Sequence, residues 1–146
     1  MESGTPSRDT PWAMSQENVE IVRMAYDAFE RGDLDAVSQL QAPTIEWQTS
    51  VEDPDAATHR GRAAVRRYIE GYMETFPRLR ADLEECVEAG GDRVLATVRY
   101  TGRARASGMD MDWRQWLIYT IEDGMIVRSA EYFDSDQALG AAGLSE

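Results

Sequence analysis

The stretch WRQWLIYTIEDGMIVRSAEYFDSDQALGAAGL, residues 113–144, decides the fold, because a hairpin, a last strand and a capped helix follow one another within it. Asp123-Gly124 is a tight-turn pair, and β-branched and aromatic residues on both sides favour two antiparallel strands. Asp134 with Gln137 has capping-box spacing, which assigns Asp134 to the N-cap of a terminal helix. Glu131, among aromatics on the second strand, is the first candidate for a functional acid or base. Register across the turn has two readings. A two-residue turn sets Trp116 opposite Glu131, and a three-residue turn with a glycine bulge sets Gln115 there. The second is preferred, because Leu117, Tyr119 and Ile121 then continue the face of Gln115 as one lining.

Working outward, Ser15 is expected to cap a helix whose apolar positions Val19, Val22, Tyr26 and Phe29 recur at spacings of three and four. Glu17 and Glu20 suit its positive end, and Gly32 stops it. Asp33 caps a short helix through Leu34, Val37 and Leu40 that ends before Pro43. TIEWQT, residues 44–49, alternates like a strand. Gly61 opens a third helix with Val65, Ile69, Tyr72, Met73 and Phe76 on one face, closed by Pro77. Beyond it Leu79, Ala81, Leu83 and Val87 form one alternating set, Gly90-Gly91-Asp92 turns the chain, and Val94 to Thr101 continues in β period. Helices first and strands after imply an α+β fold with a curved antiparallel sheet.

The chain has 146 residues, 42% of them hydrophobic, which suits one domain with one core. Residues 1–14, MESGTPSRDTPWAM, have no periodicity and are expected to be a disordered leader to a domain spanning 15–146. No apolar run approaches the roughly 20 residues that span a bilayer, and no signal-peptide core is present, so a cytoplasmic protein is expected. Cys86 is single and reads as a small strand residue. Lys+Arg 15 against Asp+Glu 27 gives a net charge of -12, which disfavours nucleic acid and anionic membranes. Arg60, Arg62, Arg66 and Arg67 lie between apolar positions and read as a solvated or ion-paired face. No phosphate-cradling loop, serine elbow or nucleotide fingerprint occurs, and a lone histidine makes no metal site, so neither cofactor nor metal is expected.

Four stretches, in this order and spacing, resemble the SnoaL-like branch of the nuclear transport factor 2-like superfamily: SQENVEIVRMAYDAFERGDLDAV, HRGRAAVRRYIEGYMETFP, GDRVLATVRYTGRA with Ser107-Gly108, and IEDGMIVRSAEYFDSDQALGAAGL. The resemblance covers about residues 15–144. It implies a cone in which the sheet wraps around three N-terminal helices and leaves an apolar pocket at its wide end, and it implies a homodimer. It does not imply one activity, since such cones host isomerases, cyclases, hydrolases and binding modules.

Within such a pocket Glu131 would act as general base, because desolvation among Trp and Tyr raises a carboxylate pKa toward neutrality. Tyr100 would offer a hydrogen bond to a developing oxyanion, and His59 a proton shuttle. Trp47, Tyr72, Phe76, Trp113, Gln115, Leu117 and Tyr119 are the candidate ligand-binding walls. Epoxide hydrolase-type relatives need an Arg and an Asp two positions apart on the middle strand, where this chain has Val98 and Tyr100, so that chemistry is disfavoured. Two classes remain: proton-transfer chemistry of cyclase or isomerase type on an apolar carbonyl compound, and a noncatalytic small-ligand or dimeric scaffold module.

Overall fold

The computed structural model describes residues 11–50 and 57–144. Its elements follow as α1 (Pro11–Glu30), α2 (Leu34–Gln39), β1 (Gln41–Gln48), β2 (Thr58–Arg60), α3 (Arg62–Thr75), β3 (Arg80–Glu88), β4 (Arg93–Arg103), β5 (Asp110–Glu122), β6 (Met125–Tyr132) and α4 (Ser135–Ala142). The six strands form one sheet in the order β2-β1-β6-β5-β4-β3. The expected antiparallel pattern holds except that β1 runs parallel to β6. The sheet is therefore mixed, because the long excursion from β1 to β6 returns in the same direction.

Helix α1 begins at Pro11, so Ser15 lies inside it instead of capping it, and Glu17 and Glu20 fall beyond its first turn. The expected leader boundary at residue 14 thus sits within the helix, while residues 1–10 lie outside the described residues. The other caps are where the residue types put them. Asp33 accepts a hydrogen bond from the Ala36 amide, and Asp134 from those of Asp136 and Gln137. Strand β1 starts at Gln41, earlier than expected, and passes Pro43 by a register irregularity against β6. Gly61, at φ 90, turns the chain from β2 into α3, where the left-handed region excludes most side chains.

Two bulges set which residues face the helices. On β3 the register shifts between Leu83 and Glu85, so Cys86 joins Ala81 and Leu83 in the main core and Val87 turns to the opposite face. The expected alternation through Val87 breaks there, because a bulge reverses side-chain parity. At the hairpin, Asp123 and Gly124 have φ 52 and 77, the signature of a two-residue turn of type I′. Glu122 pairs with Met125 as that turn requires, but the register then shifts at Val127 and sets Leu117 opposite Glu131. Neither Trp116 nor Gln115 is the direct partner. Gln115, Leu117, Tyr119 and Ile121 nonetheless share the face of Glu131, since the bulge restores that parity.

One sheet face packs under α1 and α3, with Val22, Ile45, Val65, Val98 and Leu117 fully buried. The other carries α4 over Leu95 and Ile118.

Candidate functional site

Between α1, α3 and the covered sheet face lies a cavity with about 70 Å³ of room for the centre of a water molecule. Glu131 projects into it from β6 and is 4% exposed. Trp47 of β1 donates its indole N–H to Glu131 Oε2 at 2.6 Å. The Tyr68 hydroxyl of α3 donates to both carboxylate oxygens, at 2.9 and 2.8 Å. Burial is the largest influence on this group and raises its pKa above the ordinary carboxylate value. Trp47, Tyr68, the Ser50 backbone and the Gln115 amide oppose the rise by stabilising the charged form. Gln115 Nε2 is buried and makes no hydrogen bond of ordinary geometry.

A second polar group is built from tyrosines. Tyr26 of α1 and Tyr119 of β5 share a hydroxyl–hydroxyl hydrogen bond of 2.5 Å, and their rings meet edge to face. Tyr100 of β4 interacts with Tyr26 and stacks on Trp113 at 5.3 Å. Burial lifts the pKa of all three above the usual phenol value. Each is therefore a neutral donor near pH 7.

Of the sequence candidates, Glu131, Tyr100, Trp47, Tyr72, Trp113, Gln115 and Tyr119 line the cavity together. Leu117 is fully buried beneath Glu131, and Phe76 packs on Trp113, 5.3 Å between ring centres. Neither forms the cavity wall. His59 lies on β2, not in a loop, and stacks on the Tyr68 ring at 4.5 Å, outside the cavity lining. It reaches the carboxylate only through Tyr68. Residues 51–56, the Asp- and Pro-rich stretch before it, lie outside the described residues.

Tyr68 is the residue that sequence reasoning missed. It stands three after Val65 and four before Tyr72, on the apolar face of α3, but the preceding Arg66-Arg67 masks the period. Tyr26 was legible as core, though not as a hydroxyl donor, since its partner lies 93 residues away.

The arginines are elsewhere. Arg99 pairs with Asp112 (Nε to Oδ1 2.9 Å) and Arg114 with Glu84 (2.6 Å), on the opposite face of the sheet. Arg66 contacts Glu70 and Asp35, Arg60 pairs with Glu46, and Arg62 donates to the Gln41 carbonyl. Burial raises the Cys86 thiol to about 11, so it is no nucleophile at neutral pH. Among the described residues no group of three His, Cys, Asp or Glu side chains could hold a metal, and no helix is long and apolar enough to cross a membrane.

Residues 22–129 match the sequence profile of the SnoaL-like domain. An NTF2-like protein from Burkholderia xenovorans LB400 is 30% identical, with a TM-score of 0.68 over 88% of this chain and 96% of that one. A SnoaL-like, polyketide cyclase-type protein from Jannaschia sp. CCS1 is 20% identical, with a TM-score of 0.74 over 97% and 99%. A Mycobacterium tuberculosis protein in complex with estradiol-17beta-hemisuccinate is 17% identical, with a TM-score of 0.69 over 82% and 95%. The last two share the fold. Fold, element order and profile agree, and the chain belongs to the SnoaL-like domain family of the NTF2-like superfamily.

Proposed function

We propose that the cavity binds a compact apolar carbonyl compound and that Glu131 exchanges a proton with it, in chemistry of cyclase or isomerase type. The observation that carries this reading is Glu131 itself: a carboxylate 4% exposed, positioned by two aromatic donors, with its pKa raised by burial. A base poised in this way accepts a proton from an acidic carbon and returns it without solvent competition. The tyrosine group supplies the complementary donor. Since Tyr26 bonds both Tyr119 and Tyr100, three hydroxyls joined by two hydrogen bonds leave one proton over, and a ligand oxygen near Tyr100 would take it as negative charge develops. His59 acts in this scheme by holding the Tyr68 ring.

The noncatalytic alternative is favoured by one feature: the Tyr68 proton and the Trp47 N–H are already committed to Glu131. That arrangement serves a rigid binding site equally well. Under either reading we propose a cytoplasmic homodimer, supported by family membership for the dimer and by the single cysteine for the compartment.

The test is a thermal-shift screen with polycyclic ketones, polyketide-like aromatics, terpenoid epoxides and steroids, followed by turnover assays on each ligand that stabilises the protein. Turnover that is lost in Glu131→Gln supports proton exchange. Stabilisation without turnover supports the binding module.

A further inference from the structure

We propose that the same cavity is a receptor for a protonated amine on a compact apolar body, with the ammonium docked on the Glu131 carboxylate between aromatic rings. This goes beyond the proton-exchange reading: it uses the pocket but stands whether or not turnover occurs.

The first argument is an electrostatic deficit. Glu131 is buried, and the groups acting on it are neutral: Trp47 from β1, Tyr68 from α3, Gln115 from β5 and the Ser50 backbone. Tyr100 from β4 and Tyr119 from β5, also coupled to it, are phenols held in the neutral form. The sheet arginines Arg99 and Arg114 are spent on Asp112 and Glu84 across the sheet. A buried carboxylate is ordinarily matched by a cation. Among the described residues none of the groups that face it is a cation, and a bound ammonium would be.

The second argument is the wall. The rings of Trp47 and Tyr68 lie 6.2 Å apart and those of Trp47 and Tyr119 6.1 Å apart, around the carboxylate. Ring faces attract cations, and a desolvated ammonium among several rings gains more than one at a surface. The third is the approach. A net charge of -12 favours arrival of cations and opposes that of anions.

The proton balance is simple. An ammonium docking on a protonated Glu131 releases that proton to solvent, whereas a neutral amine takes it from the carboxyl; both give the same ion pair. Affinity for an amine therefore rises with pH through the titration of Glu131 and falls once the free amine deprotonates. His59 stacks on Tyr68 behind the carboxylate, so the pH series is repeated in His59→Gln.

Calorimetric titration of the full chain with naphthylmethylamine, naphthylmethanol and naphthoate, matched in ring isomer, tests the proposal at low salt near neutral pH. The amine is expected to bind about tenfold tighter than the alcohol, with naphthoate weakest, and Glu131→Gln is expected to bring amine and alcohol to equal affinity. An alcohol that binds as tightly as the amine to the unsubstituted protein, or no binding by any of the three, overturns it. Should Glu131→Gln fail to fold, the pH series on the unsubstituted chain decides: amine affinity that does not rise with pH, with or without His59, also overturns it. Absence of turnover on ketones would sink proton exchange and leave this result intact.

Discussion

Glu131 on the helix-covered face of the sheet and Asp112 and Glu84 on the opposite face are the same chemical group in opposite surroundings. Glu131 is enclosed by aromatic donors, and burial raises its pKa. Asp112 and Glu84 meet Arg99 and Arg114 in solvent, and those hydrogen-bonded guanidinium groups lower theirs. Strand parity separates the two environments. Val98 and Tyr100 turn inward while Arg99 turns outward, and Gln115 turns inward while Arg114 turns outward. The contrast separates a carboxylate held by neutral donors, with no cation beside it among the described residues, from carboxylates held by guanidinium groups. The ion-paired ones are held charged and occupied.

The two faces respond oppositely to pH. Glu131, with its folded pKa raised, stabilises the fold most below the ordinary carboxylate range, and that contribution is lost as pH rises toward its folded value. Asp112 and Glu84, with theirs lowered, contribute above the ordinary range and lose it as pH falls through their folded values, with salt weakening the effect.

The largest expected effect is on the covered face. If Glu131 is the base, Glu131→Gln lowers turnover of any ketone hit by about 100-fold or more. In the same variant, urea titrations across pH should show that the loss of stability with rising pH has flattened; an unchanged slope would mean that Glu131 is not the group titrating there. Next, Leu117→Ala removes the fully buried side chain paired across from Glu131 and should destabilise by about 3 kcal/mol in chemical denaturation. Much less would indicate that the hairpin register differs.

Tyr68→Phe deletes a donor that touches both Glu131 oxygens. It should move the acid limb of a pH–rate or pH–binding profile upward, because the charged carboxylate loses support; a downward move contradicts the geometry. On the other face, Asp134→Ala removes the cap of α4 and should cost about 1 kcal/mol, with ligand binding unchanged. Arg99→Ala, which breaks an exposed pair, is expected to leave both the melting temperature and the Glu131 titration where they are. A shifted Glu131 titration would show that the two faces communicate.

Much of this contrast was legible in the chain. Asp123-Gly124, the Asp33 and Asp134 caps, the apolar period of α3 and the position of Glu131 on the last strand are local signals, read within a few residues. The bulge at Val127 was not, because nothing in MIVRSAEY marks which residue is left unpaired. The same holds for the bulge near Glu84, which moved Val87 away from Ala81 and put Cys86 in its place. Tyr68 escaped because Arg66-Arg67 gives that turn of α3 a polar look, and the pairing of β2 with β1, which sets His59 against the Tyr68 ring, carries no local signal.

The amino-acid order by itself determined the element types, the hairpin turn, the family and the carboxylate to examine, since each depends on short-range geometry or on a pattern spread along the whole chain. Only the tertiary structure decided that Trp47 and Tyr68 hold Glu131, that Tyr26 and Tyr119 share a hydrogen bond, and that Arg99 and Arg114 face away from the site. Those facts join residues 63 to 93 positions apart, and two bulges set the parity that brings them together. Contacts of that kind depend on the sum of all registers between them, which no local stretch contains.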